Sequence, residues 1–339
     1  MFLSHLGRPI AMAGLWLGLL GAAAPAAPRV VVDIAPMHAI VARVMAGAGS
    51  PSLLLPPGAS PHGYALRPSE AATLSEADLV VWTGPALTPW LERPLDRLAE
   101  NAARLTLMEA PGINHLPLRE GPLFEHGHDH GQDHDHDHGE KHDHSHEHEH
   151  DEDHGAEAAT GHAHTGDRDA HLWLDPANGA AIAAAVAEAL AEVDPAEASL
   201  YRANAAEAAE EYSALSARLS TMLAPARGQP FVVLHDAYHH FERAFGVEAA
   251  GAIAAGDGGE AGGIGPARLA ALRERIGTLG AACLFAEPQF PERAVVALIE
   301  GTPARAGRLD PLGVALEPGP ALYPKLLEDL AEALVDCLG

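Results

Sequence analysis

The sequence predicts an α/β fold: two lobes, each a mainly parallel sheet flanked by helices, joined by one long rigid helix. Three observations carry this. Short apolar runs such as VVVDI, DLVVWT, FVVL and ACLFA alternate with amphipathic helical patterns, and a strand buried on both faces of a parallel sheet reads as such a run. The runs fall into two groups with one uninterrupted helical pattern between them. The 339 residues also suit two ordinary domains, or one large one, better than a single small one.

In the first group, strands are expected at 30–34, 52–55, 78–83 and 104–107; in the second, at 231–234, 247–250, 282–286 and 308–309. Helices are expected at 69–76, 90–101, 177–193, 267–279, 291–300 and 324–335. The connecting rod starts at Asp194-Pro195, a helix-start pair, and runs through ASLYRANAAEAAEEYSALSARLSTMLA with no internal Gly or Pro. At 1.5 Å per residue it spans roughly 45 Å. The expected organisation is therefore a leader at 1–26, a first lobe at 27–193, a linker helix at 194–225 and a second lobe at 226–339.

The leader is an address. Residues 1–9 include Arg8 and no acid, 10–24 form an apolar run too short to span a bilayer, and Ala24-Pro25-Ala26 offers the small-x-small pattern of signal peptidase. A secretory signal cleaved near Ala26 is expected, an uncleaved anchor being the alternative. Cysteine usage fits an oxidising compartment: Cys283 and Cys337 are the only two, and neither lies in a C-x-x-C pair. One disulfide is the simplest state there, against two separate buried thiols. It would stabilise the fold by about 4 kcal/mol in the chain-entropy model.

Formal net charge is −26, of which about −11 comes from the twelve acids and single lysine of residues 125–154. So acidic a chain argues against nucleic acid and against an anionic membrane face, and favours cations. Within 125–164 almost every second residue is histidine and most others are Asp, Glu or Gly. Such a tract cannot build a core. It concentrates imidazole nitrogen and carboxylate oxygen, the ligand set of Zn²⁺. Its auxiliary ligands are His126, His128, His130, His134, His136, His138, His142, His144, His146, His148, His150 and His154. Residues 146–150 spell H-E-x-x-H, but that motif needs a regular helix, so it reads as coincidence. The Gly-rich stretch 251–265 holds neither G-x-G-x-x-G nor G-x-x-x-x-G-K and reads as a flexible loop at the cleft edge.

Outside leader and tract the histidines are few: His38, His62, His115, His171, His235, His239 and His240. His62 in LLLPPGASPHGYALRPSE, His171 in DAHLWLDP and His235 in FVVLHDAYHHF all sit where a regular pattern gives way to loop. Ligands bind at strand ends in α/β sheets, so three imidazoles arriving there can converge on one ion. Singly, each reads as a hydrogen-bonded loop histidine. His38 reads as a helix-start residue, and His239, Tyr238 and Glu287 as partners behind the ligands.

The segments GASPHGYALRPSE, HLWLDP, FVVLHDAYHHFERAFGV and CLFAEPQF, then GRLDPLG, occur in that order with a His-rich insert between the first two. They resemble the zinc-specific solute-binding receptors of ABC importers, the ZnuA-like cluster A-I metal receptors, over nearly the whole mature chain. The resemblance implies metal in the interlobe cleft, held by His62, His171 and His235, with zinc as cargo. Manganese-selective relatives place Glu where His235 stands and use an Asp at the place of Asp310; a third imidazole favours zinc. Some zinc receptors carry Glu directly before the first ligand, but here Pro61 stands there. The fourth position is then Asp310, water or a tract histidine, with Asp310 also readable as a turn residue before Pro311. Cys283 and Cys337 fall where the family's disulfide lies.

The resemblance further implies a periplasmic monomer that delivers zinc to an ABC permease in the inner membrane, with a place for an auxiliary periplasmic zinc chaperone. A zinc buffer without a transporter and a zinc hydrolase are the alternatives; the sequence offers no general-base motif or nucleophile elbow for the latter. Because imidazole must be neutral to ligate, capture is expected to weaken as pH falls through about 6.5.

Overall fold

The computed structural model describes residues 27–119, 168–254 and 266–339. The leader, the histidine-rich tract with its twelve auxiliary ligands, and residues 255–265 of the Gly-rich stretch lie outside the described residues.

The first lobe runs β1 (Val30–Val32), α1 (Ala35–Val44), β2 (Ser52–Leu53), α2 (Pro68–Ser75), β3 (Leu79–Trp82), α3 (Glu92–Leu98) and β4 (Ala103–Thr106). Its four strands pair in parallel in the order β2-β1-β3-β4. Two helices follow, α4 (Pro176–Val193) and α5 (Ala198–Met222). The second lobe runs β5 (Phe231–His235), α6 (His239–Phe245), β6 (Ala249–Ala254), α7 (Pro266–Thr278), β7 (Cys283–Ala286), α8 (Glu292–Ile299), β8 (Arg305–Arg308) and α9 (Leu322–Leu338). Its sheet has the equivalent parallel order, β6-β5-β7-β8. In each sheet the strand order reverses between the first and third strands. The crevice at the carboxyl ends of those strands is where such sheets bind ligands.

Three expectations change. The rod is shorter: α5 has 25 residues, about 37 Å at 1.5 Å per residue. Asp194-Pro195 ends α4 instead of opening α5, with Asp194 N donating to the Leu190 carbonyl at 2.8 Å and its carboxylate accepting from Tyr201 Oη at 2.7 Å. A proline just past a helix end cannot continue the ladder, so the chain turns back and α4 packs along α5. Second, α1 forms over a stretch given no helix range, in keeping with the reading of His38 as a helix-start residue, with Pro36 in its first turn. Third, Gly251 to Ala254 lie in β6, not in a loop, because parallel pairing with β5 overrides the weak strand preference of Ala and Gly.

The lobes are joined by more than α5. A single buried cluster runs from Val30 and Val32 through Tyr201 and Leu215 to Phe231, Val233, Leu330 and Leu334. The C-terminal helix α9 packs on α1 and α5 as well as on β8, its Tyr323 ring edge-on to Tyr212 at 4.8 Å between centroids. Tyr323 also presses on Gly179 of α4, where any Cβ would collide with its ring and hydroxyl. The disulfide Cys283–Cys337 ties α9 to β7 across a sequence separation of 54.

Candidate metal site

His62 lies in the loop after β2, and its neighbours fix that loop. Trp90 Nε1 donates to the Pro61 carbonyl at 2.7 Å, and the Tyr64 ring packs edge-on to Trp90 at 5.3 Å. Tyr64 Oη donates to Glu70 Oε1 at 2.8 Å, while Glu70 Oε2 accepts from Arg67 N at the start of α2. His171 precedes a single 3₁₀ turn, Leu172–Leu174, that feeds α4 through the N-cap Asp175, whose side chain accepts from Ala177 N. His235 is the last residue of β5, at the reversal point of the second sheet. Glu287 follows β7, the strand beside it.

These three imidazoles meet. Their ring centroids are 5.1, 5.3 and 5.7 Å apart, and one nitrogen from each lies within 4.8 Å of the others. Among the described residues this is the only His/Cys/Asp/Glu group so arranged. Two rings are backed by carboxylates. His171 Nδ1 is 2.8 Å from Asp169 Oδ1, and His235 Nδ1 is 2.7 Å from Glu287 Oε1. A proton on each Nδ1 leaves Nε2 as the ligating lone pair and holds the ring's direction. His62 has no such partner: both of its nitrogens are buried without a hydrogen bond. Burying two unpaired polar nitrogens is costly, which is what a ligand position without its ion would show.

Burial drives His62 down to about 2, with the nearby His171 and His235 adding to the effect. Burial likewise lowers His171 to about 3, the His235 ring assisting and Glu287 and Asp236 opposing. Against the expectation that capture fades near pH 6.5, the rings of His62 and His171 are held neutral well below that pH, because burial and the neighbouring imidazoles disfavour their charged forms.

The cluster lines a cavity of about 20 Å³ together with Ser60, Pro61, Trp173, Gln289, Pro311 and Leu312. A larger one of about 100 Å³, bounded by Gly58, Ala59, Pro288 and Val314, shares Ser60, Gln289 and Leu312 with it.

Asp310 is not grouped with the three imidazoles. Its Oδ1 accepts from Leu312 N and Gly313 N at 3.1 and 2.9 Å, and its Oδ2 from Val314 N at 2.7 Å. Both oxygens hold a turn together. Of the other candidates, Glu287 touches His235, whereas Tyr238 Oη donates to the Leu309 carbonyl at 3.2 Å. His239 lies in the field of Arg119, Asp169 and Asp236, and His38 Nε2 is engaged by the Pro51 carbonyl at 3.1 Å. Sequence reasoning did not single out Asp169, although its place two residues before His171 was a readable signal.

Residues 30–337 match the family model of ZnuA, described as zinc-uptake complex component A, periplasmic. The chain belongs to the ZnuA family. The high-affinity zinc uptake system protein ZnuA of Brucella abortus is 45% identical over 309 residues, covering 91% of each chain. The protein of the same name from Paracoccus denitrificans is 46% identical over 313 residues, 92% of each. Among solved structures, one of ZnuA superposes with a TM-score of 0.69 at 22% identity, covering 92% of this chain and 100% of its own. The binding protein FpvC of Pseudomonas aeruginosa, in complex with Mn²⁺, gives 0.69 at 18% identity, covering 92% of this chain and 98% of its own. At those identities the structures show the shared fold, two helix-flanked parallel sheets. The cysteine pair of this ZnuA family member is oxidised.

Proposed function

We propose that the protein captures Zn²⁺ outside the inner membrane, as cargo, and delivers it to an ABC permease for import. The observation that carries this reading is the meeting of His62, His171 and His235 within 4.8 Å, in a chain whose similar relatives are named for high-affinity zinc uptake. Three neutral nitrogens suit a borderline ion such as Zn²⁺ better than Mn²⁺ or Mg²⁺, which prefer oxygen. Asp169 and Glu287 supply negative charge behind two of the rings, raising their basicity without ligating. With Asp310 committed to its turn, water is the fourth ligand; a cavity of about 20 Å³ holds one. The leader at 1–26 exports the chain, the tract at 125–164 keeps ions near the cleft through many weak sites, and the receptor works as a monomer.

Competitive zinc titration of the mature protein and of a form lacking residues 127–164, each with and without His171→Ala, tests this. One tight site that survives the deletion and disappears with His171→Ala is expected. Tight binding confined to the tract would make the protein a metal buffer.

A further inference from the structure

Arg119 sits immediately ahead of the undescribed tract, yet its side chain is only 14% exposed. Its segment belongs to the first lobe. Pro117 pairs antiparallel with Arg168, Asp169 N donates to the Leu116 carbonyl at 2.9 Å, and Asn114 N donates to Asn178 Oδ1 of α4 at 2.7 Å. The guanidinium, however, reaches into the second lobe. Nε is 3.0 and 3.1 Å from the two carboxylate oxygens of Asp236, and Nη2 contacts Asp236 as well. Nη1 donates to Glu242 Oε2 at 2.6 Å and Nη2 to Glu242 Oε1 at 3.0 Å. Both acceptors are deeply buried, with side-chain exposures of 8% and 2%. Asp236 is the residue after His235, and Glu242 of α6 also accepts from Ala249 N at the start of β6.

One first-lobe cation therefore grips the two second-lobe segments on either side of the turn that follows His235. A buried ion cluster of this kind is a poor device for stability alone, since apolar residues of the same volume usually do as well or better. What it does supply is direction, because the planar fork binds two carboxylates only in one arrangement. We propose that Arg119 is an interlobe clasp, a positioning residue that holds His235 against His62 and His171 and thereby sets how slowly bound zinc leaves.

This rests on the zinc-capture reading. Two of the three imidazoles come from first-lobe segments and the third from the second lobe, so zinc departs when that third nitrogen draws back. The clasp acts across the same seam, one residue from His235. It keeps the metal-free cleft in its binding geometry, so little ordering remains to oppose capture.

The test loads the full-length protein with one equivalent of zinc and follows transfer to excess chromophoric chelator by stopped flow, with association and thermal unfolding measured alongside. Three variants are compared: Arg119→Met; Arg119→Met with Asp236→Asn and Glu242→Gln, which leaves no unpaired buried carboxylate; and Arg119→Lys. The first two are expected to release zinc at least ~10-fold faster with association changed less than threefold, and Arg119→Lys to lie between them and wild type, since one ammonium cannot fork to both partners. Should Arg119→Met fail to fold, the neutral triple variant and Arg119→Lys carry the measurement. A folded variant that melts earlier but releases zinc at the wild-type rate overturns the clasp and leaves Arg119 a structural residue. Wild-type zinc binding that is indifferent to His171→Ala instead overturns the receptor reading, and the clasp with it.

Discussion

Trp173 Nε1 donates a 2.8 Å hydrogen bond to the carbonyl of Pro311, 138 residues further along the chain. It joins the residue two past His171 to the residue after Asp310, so the loops from the two lobes are tied along one wall of the cleft. Tyr323 of α9 closes the link from behind, its hydroxyl donating to the Trp173 carbonyl at 2.8 Å. The Trp173 ring also packs on His171 at 5.4 Å between centroids. Trp173→Phe keeps an aromatic ring but strands the buried Pro311 acceptor, which costs about 1–3 kcal/mol. Denaturant titration should show that loss, and zinc affinity should fall with it. A variant as stable and as tight as wild type would mean that the two loops are held independently.

The three proposed ligands and the carboxylates behind them should separate cleanly. Outer partners of metal-bound histidine typically contribute 10–100-fold in affinity, so Asp169→Asn and Glu287→Gln are expected to weaken zinc binding by about that much. Alanine at His62, His171 or His235 should cost more than ~100-fold. Asp310→Asn should leave affinity unchanged while destabilising the turn that its oxygens hold. Competition against a chelator of known affinity checks all six, and an Asp310→Asn loss as large as that of His171→Ala would return Asp310 to the ligand set.

Where the sequence was legible, burial made it so. The runs VVV, LVVW and FVVLH became β1, β3 and β5 because a parallel strand buried on both faces has only apolar choices. β6, with the sequence AAGAIA, carries no such signature and was expected two residues early. The three clustered histidines could be found because each sits at a break in pattern beside Pro, Gly or Asp. Asp310 looked equally eligible, and nothing in the sequence pointed to the three N–H groups that its carboxylate accepts from. Arg119 gave no sign, since its role is defined by partners 117 and 123 residues away.

The disulfide should matter for the fold more than for the metal. It pins α9, which packs on α1 of the first lobe and on the linker α5, to β7 of the second lobe. For a loop closed over 54 residues the chain-entropy model gives about 4 kcal/mol. Replacing both cysteines with serine should lower the unfolding free energy by roughly 2–5 kcal/mol while zinc affinity at 25 °C changes less than threefold, because neither cysteine lines the cleft. A large drop in affinity without loss of stability would show that α9 controls the ligands directly.

Proton competition should distinguish the cleft from the tract. Burial pushes two of the cleft rings down, His62 to about 2 and His171 to about 3, so between pH 8 and 5 both are neutral before zinc arrives and neutral after. Binding there displaces no proton from these two, and affinity should change little over that range. Histidines with ordinary values near 6.5 must lose protons to ligate, so zinc held by the tract should be shed as pH falls through that value. In the metal-free fold the same depression works against stability below pH 6.5, where an unfolded chain takes up the protons that the cleft refuses. Zinc retained after ultrafiltration should therefore fall from several ions per chain at pH 7.5 to one at pH 5.5 in the full-length protein, and hold at one in the form lacking residues 127–164. If that shorter form instead loses its ion between pH 7 and 6, His62 and His171 titrate like exposed histidines and are not neutral before zinc arrives.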